Sequence, residues 1–202
     1  MSTASVAGGS ADRAAAGDYS QGPARRPRLA LRLAAWAAAL ALSGVILRKA
    51  MSVRSFEAWL AGHVVPVLTG IKAGGSLNSP IVWFAEGPHQ YMGLLITSEC
   101  TVDALIVPFI LGTAWAIWNQ AKLLRPLLAL VVATGMLLAM NQFRLLVIIL
   151  LTVRFGYNTG FYWGHTMLGS LITVSGVVLA FSAYILIAVR RKKSRRPRKP
   201  AQ

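Results

Sequence analysis

The chain has 202 residues, of which 55% are hydrophobic and only 13% are charged. Soluble domains carry roughly 25% charged residues, so this composition argues against an ordinary soluble domain and favours a surface that faces lipid. The formal net charge of +15 does not indicate nucleic-acid binding, because 13 of the 21 basic residues flank the apolar part, five in residues 1–32 and eight in 190–202.

Three parts of the chain are predicted from this pattern. Residues 1–28 and 190–202 form basic tails that are expected in the cytoplasm, since the basic flanks of membrane proteins stay inside the cell. The first tail is rich in Ala, Gly, Ser, Pro and Arg without periodicity, and we expect it to be disordered. Residues 29–189 between the tails form a single transmembrane domain.

The first half of this domain contains one apolar run and one mixed segment. The run 29–47 is long and follows several arginines, which favours a signal anchor over a cleaved signal peptide. Residues 55–71 (SFEAWLAGHVVPVLTGI) are moderately amphipathic and interrupted, and are predicted to form an interfacial or re-entrant helix. The turn-rich stretch 72–80 is predicted to be a loop.

Three further apolar runs follow, at about 91–118, 127–153 and 166–189. The aromatic and glycine-rich stretch between the last two is predicted to be a loop, so the Gly-x-x-x-Gly match at Gly156 and Gly160 is expected to have no role in helix packing. The predicted fold is therefore all-α: a polytopic transmembrane helical bundle of about four spans plus an interfacial helical segment. The outer surface of this bundle is expected to contact the lipid bilayer.

Three of the apolar runs carry residues that are costly inside a bilayer, and such residues are functional candidates by default. They are Cys100 in the second run, Arg144 in the third and His165 at the start of the fourth. Helix rise places Cys100 and Arg144 roughly 27 and 25 Å above the inner ends of their runs, and His165 about 36 Å above the end of its own. In a hydrocarbon core of about 30 Å all three lie near the outer face.

A thiol, an imidazole and a guanidinium at one depth predict a particular chemistry. Cys100 is the single cysteine, so it can form neither an intramolecular disulfide nor a cysteine-rich metal site, and it is either a packing residue or a reactive thiol. A histidine can take and return a proton, and an arginine can pair with a developing oxyanion or hold a substrate carboxylate. His63 and His89 compete with His165 for the role of base. This chemistry requires no metal and no organic cofactor.

Three polar neighbours have more than one interpretation. Glu99 and Asp103 are candidates to contact substrate, to orient the histidine, to pair with Arg144 or only to line a wet surface. Asn141 lies one helical turn before Arg144 and is a candidate to contact a substrate backbone, or only to cap a break in the helix. A salt bridge between Arg144 and Asp103 across two helices would be a purely structural alternative.

The order of these residues resembles the exosortase/archaeosortase family of membrane transpeptidases. The matching segments are SECTVDAL with Cys100, NQFR from Asn141 to Arg144, and HTMLG with His165, all within about 90–185. The resemblance implies that Cys100 is the nucleophile and that Arg144 and His165 complete a catalytic site near the extracytoplasmic face.

The resemblance also implies a substrate class, namely secreted proteins that end in a sorting signal made of a short motif, a transmembrane helix and a basic cytoplasmic end. The enzyme would cut near the motif and transfer the protein to a surface acceptor. The chain departs from the family in having Cys100-Thr101-Val102 where Cys-Ser-Gly is usual, and in being shorter than many relatives. The alternative hypothesis is a non-enzymatic membrane assembly or transport subunit, in which Cys100 only packs.

Overall fold

The structure, a computed structural model, describes residues 26–87, 89–119 and 123–189. The tail predicted over 190–202 lies outside these ranges, as does nearly all of the tail predicted over 1–28. The helices are α1 (Arg26–Arg48), α2 (Ala50–Thr69), α3 (Asp103–Asn119), α4 (Leu124–Gly156) and α5 (Gly169–Val189), with two π-helical segments, Tyr157–Phe161 and Trp163–Leu168, before α5. Between α2 and α3 lie the strands β1 (Ala73–Ser76), β2 (Ser79–Ala85) and β3 (Tyr91–Leu95).

The described part of the chain is mostly helical, and two of its helices are long and apolar enough to cross a membrane. They lie in the segment Leu124–Phe161, which contains α4, and in the segment Trp163–Ala188, which contains most of α5. The helices α1 and α2 meet at a bend of 67° and supply a third span if they are counted together. The remaining apolar helix, α3, has only 17 residues.

A three-stranded antiparallel sheet shows that the all-α prediction is wrong for the segment between α2 and α3. The strand order is β1-β2-β3, so the loop predicted over 72–80 is a hairpin and the run 91–118 begins as a strand rather than a helix. Val82 is fully buried whereas its neighbours Ile81 and Trp83 are exposed, as the alternation of a strand requires. Because the outward side chains are also apolar, hydropathy does not show the period of two.

The helix α2 lies on one face of this sheet at a distance that only glycine allows. A Cβ on Gly62 would overlap the backbone of Gly74 and Gly75. This contact explains why β1 is rich in glycine, although glycine is unfavourable in strands. The buried core between α2, the sheet and α4 consists of Ala58, Ala61, Val65, Val82, Phe84, Ile96, Cys100, Leu145 and Ile149. The single cysteine, Cys100, is therefore one of the core residues that pack between the sheet and α4.

The chain reverses at Gly156, which adopts a φ of 77°, and the returning segment packs along α4 through a row of glycines. A Cβ on any of them would meet α4, in the pairs Gly160–Leu151, Gly164–Ile148, Gly169–Arg144 and Gly176–Met140. Small residues of this kind let two membrane helices approach closely. The loop predicted after the third run is thus helical, and the prediction that Gly160 has no packing role is wrong.

Candidate functional site

The thiol of Cys100 and the imidazole of His165 lie next to each other, with Sγ and Nδ1 3.8 Å apart. Cys100 ends a short 3₁₀ turn, Ser98–Cys100, between β3 and α3. Its backbone N–H donates to the carbonyl of Thr97 at 3.0 Å, and the Thr97 hydroxyl donates to Sγ at 3.6 Å. The thiol therefore has two polar neighbours, and Thr97 is one that the sequence analysis missed.

His165 lies at the end of a row of stacked rings. The rings of Tyr157 and Phe161 have centroids 5.3 Å apart, and those of Phe161 and His165 have centroids 5.2 Å apart with planes inclined by only 4°. The three residues follow one another at intervals of four in the π-helical segments, whose wide turn brings such residues onto one face. The stack holds the plane of the imidazole, and Nδ1 is the ring nitrogen that faces the thiol.

The loop that follows Cys100 is held from behind by Glu57, which belongs to α2 and is fully buried. Its Oε1 accepts the backbone N–H of Val102 at 3.1 Å, and its backbone carbonyl accepts a hydrogen bond from the Gln142 side chain at 3.3 Å. Glu57 thus connects α2 to both the cysteine loop and α4. Glu57 was not among the residues predicted from the sequence, although it is the only acidic residue between positions 19 and 85.

Asp103 begins α3 and is engaged in local structural interactions. Its Oδ1 accepts a hydrogen bond from the backbone N–H of Ala104 at 2.6 Å. A carboxylate at the first residue of a helix is stabilising because it interacts favourably with the positive end of the helix dipole. Its Oδ2 lies 3.8 Å from a guanidinium nitrogen of Arg54. The positively charged residue beside Asp103 is therefore Arg54, which was not among the candidates from the sequence.

Arg144 is buried between α4 and α5. Its Nη1 donates to the hydroxyl of Thr173 at 3.2 Å, and that hydroxyl donates to the carbonyl of Gly169 at 2.9 Å. A Cβ on Gly169 would lie 2.9 Å from Nε of Arg144. The guanidinium therefore occupies space that only a glycine at position 169 leaves open.

Three cavities adjoin these side chains. The cavity that contains the thiol has a volume of about 140 Å³ and is lined by Leu94, Leu95, Thr97, Cys100, Leu145, Ile148, Phe161 and His165. A larger apolar cavity of about 490 Å³ shares four of these residues and extends along β3. A third, of about 410 Å³, is lined by Arg144, His165, Thr166, Ser170, Thr173 and Val174. His165 is thus accessible from two cavities, one with the thiol and one with the guanidinium.

The remaining predicted residues lie at varied distances from this centre. Asn141 is buried and lines a small space together with Arg144 and Thr101. His63 bonds through Nδ1 to the carbonyl of Trp59 at 2.7 Å, one turn earlier on α2. His89 is exposed in the connection between β2 and β3. The backbone of Glu99 lies in the 3₁₀ turn, but its side chain lies outside the described part of the structure.

Within the described ranges no group of three or more His, Cys, Asp or Glu side chains is arranged to hold a metal ion. No family model, no curated protein and no solved structure matches the chain. Its function therefore has to be inferred from the residues and from how the fold arranges them.

Proposed function

We propose that the chain is a membrane-embedded cysteine endopeptidase and transpeptidase of the exosortase type. It would cleave secreted proteins at a C-terminal sorting signal, and would transfer them to a surface acceptor. The observation that carries this proposal is the 3.8 Å approach of Cys100 Sγ to His165 Nδ1, between residues 65 positions apart in sequence. Nucleophile and base within reach of one another, with the base held by a third group, are the geometric signature of covalent catalysis.

In the first half of the reaction, His165 takes the proton of the Cys100 thiol and the thiolate attacks the carbonyl carbon of the scissile peptide bond. The carbon–nitrogen bond then breaks, and the imidazolium returns the proton to the leaving amine. The product is a thioester between Cys100 and the new C-terminus of the secreted protein. The hydroxyl of Thr97, 3.6 Å from Sγ, stabilises the thiolate before the attack.

In the second half, an acceptor nucleophile or water attacks the thioester, and His165 takes its proton. Cys100 leaves as the thiolate when the carbon–sulfur bond breaks, and the His165 imidazolium returns its proton to restore the thiol. Arg144 lines the cavity of about 410 Å³ beside His165 rather than the thiol cavity, which favours a role in orienting substrate or acceptor over direct contact with the oxyanion. Asn141, which lines a small space with Arg144, supports that guanidinium or contacts the substrate backbone.

The proposed topology places both termini in the cytoplasm and the thiol near the extracytoplasmic face. There would be four crossings if α1, α3, α4 and α5 each span the bilayer. The helix α3 has 17 residues, which is at the lower limit of length for a transmembrane helix. The sorting helix of the substrate would lie in the same bilayer. Its scissile bond would then be at the depth of the thiol.

The test is the processing of a secreted reporter that carries a C-terminal tail of motif, apolar helix and basic end, taken from proteins of the same genome that share such a tail. The reporter is co-expressed with the wild-type chain, Cys100→Ala, His165→Ala or His63→Ala. We expect the wild type and His63→Ala to shorten the reporter. Cys100→Ala is expected to leave it full length but bound, and His165→Ala to slow its processing at least about a hundredfold.

His63→Ala is the matched control because it removes a histidine that bonds within its own helix. If Cys100→Ala and the wild type process the reporter alike, Cys100 is a packing residue. The alternative of a non-enzymatic membrane subunit then replaces the proposal.

A further inference from the structure

We propose that the free edge of β3 is the binding site for the substrate peptide, and that the segment next to the scissile bond pairs with β3 as a fourth strand. This inference rests on the proposed function, which it extends from a reaction to a mode of recognition. An extended peptide can add to an exposed sheet edge through main-chain hydrogen bonds, while pockets select its alternate side chains.

The edge position of β3 follows from the strand order, since among the described residues 26–87, 89–119 and 123–189 β3 pairs with β2 alone. The backbone N–H of Ile96 donates to the Pro80 carbonyl at 2.8 Å, and that of Glu86 donates to the Gln90 carbonyl at 3.0 Å. These bonds fix the antiparallel ladder, in which every second residue of β3 bonds to β2. The residues between them, Tyr91, Gly93 and Leu95, direct their N–H and C=O groups away from β2.

The free edge leads directly to the reactive thiol. Leu95 ends β3, and Cys100 lies in the turn that follows. The apolar cavity of about 490 Å³ along β3 and the thiol cavity share the lining residues Leu94, Leu95, Thr97 and Phe161. A strand added at this edge would therefore extend towards the thiol, with alternate carbonyl groups bonded to β3.

The walls of the larger cavity indicate the chemistry of the peptide. Phe84 and Met92 form one side, and Tyr157 and Phe161 from the aromatic row form another. A cavity of this size, lined by apolar and aromatic groups, accepts an apolar or aromatic side chain. The peptide is therefore expected to place one such side chain in the cavity, and its next side chain on the opposite face of the sheet.

Strand addition can be tested by removing the N–H of Gly93, which points away from β2. Replacing Gly93 by proline removes this N–H without removing a hydrogen bond to β2. Proline is tolerated at such edge positions. We compare Gly93→Pro with Gly93→Ala, in which the added Cβ meets only Ile81 at 3.2 Å and the N–H remains. In the same reporter assay, Gly93→Pro is expected to be about tenfold slower than Gly93→Ala.

Equal rates for Gly93→Pro and Gly93→Ala, with processing still dependent on Cys100, would overturn strand addition and leave the proposed function intact. Absence of any Cys100-dependent processing by the wild type would instead remove the proposed function, and this inference with it. If Gly93→Pro abolishes self-association of the chain but not processing, the edge binds a second copy and the inference is wrong.

A second measurement applies if Gly93→Pro fails to accumulate. Synthetic peptides that span the motif of the reporter tail are N-methylated at one backbone nitrogen at a time and offered to the full-length protein in detergent. Strand addition predicts slower cleavage at every second position, because only alternate N–H groups face β3. Loss at a single position, or equal loss at all positions, contradicts it.

Discussion

Oε1 of Glu57 accepts the backbone N–H of Val102 at 3.1 Å, and this bond joins α2 to the loop that carries the single cysteine. The carboxyl is fully buried, and the side chains of Thr101 and Asn141 lie beside it. A buried N–H that loses its acceptor has no water to replace it, so the cysteine loop depends on this side chain for its position.

Replacing Glu57 therefore has a predictable effect on stability. Glu57→Ala leaves the Val102 N–H without an acceptor and opens a cavity, and is expected to lower the free energy of unfolding by about 3 kcal/mol. Glu57→Gln keeps an oxygen at the same place and is expected to cost about 1 kcal/mol. Thermal unfolding in detergent measures both variants against Glu86→Ala, which changes a partly exposed carboxylate in the hairpin connection. Equal melting temperatures for Glu57→Ala and Glu86→Ala would contradict the structural role.

The contact of Gly169 with Arg144 predicts that a single methyl group displaces the guanidinium. In Gly169→Ala the new Cβ would lie 2.8 Å from the carbonyl oxygen of Gly164 and 2.9 Å from Nε of Arg144, of which the side chain is the freer to move. A shift of about 1 Å in a positioning group can cost up to a hundredfold in rate. Reporter processing is expected to fall by at least about tenfold.

The control is Gly135→Ala, also in a helix, where a Cβ meets nothing within 4 Å. It is expected to leave processing unchanged and to raise the free energy of unfolding by up to about 1 kcal/mol. If the two variants process the reporter equally well, the position of Arg144 does not matter to the reaction.

The stack of Phe161 on His165, with planes inclined by 4°, predicts a role for the ring in holding the imidazole. Phe161→Leu keeps an apolar side chain but loses the stack, whose worth is about 0.5–1.5 kcal/mol. Reporter processing is expected to fall several-fold, with little change in melting temperature. Tyr162→Leu changes the neighbouring exposed ring and is expected to behave as the wild type. A drop in both variants would mean that the helix itself, and not the stack, is perturbed.

The hydrogen bond from the Thr97 hydroxyl to Sγ of Cys100 predicts an effect on the reactivity of the thiol, which can be measured without a substrate. Thr97→Val removes the donor 3.6 Å from Sγ while it keeps the shape of the side chain. The rate of Cys100 alkylation by iodoacetamide at fixed pH is expected to fall several-fold, because the thiolate is the reacting form and loses a hydrogen bond of about 0.5–1.5 kcal/mol. Thr159→Val, an exposed site in the π-helical segment, is the control. An unchanged rate in Thr97→Val would remove Thr97 from the site.

The sequence was informative wherever a local pattern carried the signal. Long apolar runs predicted the helices of the second half of the chain, and α4 and α5 belong to the two described segments that are each long and apolar enough to cross a membrane. The cost of a polar group in such runs identified Cys100, Arg144 and His165 as candidates, and the structure places the first and last in contact. The boundaries were less accurate, because a run of apolar residues does not show where a strand ends and a helix begins.

The sequence by itself determined that this chain is apolar and mostly helical, and which few polar side chains are costly enough to matter, because hydropathy and residue chemistry are properties of single positions and short runs. The tertiary structure alone decided the rest. The sheet depends on pairing between strands, Glu57 matters because its acceptor atom meets Val102 from another element, and the glycine row matters because α5 returns along α4. Each of these is a contact between residues distant in sequence, and such contacts exist only once the elements have packed.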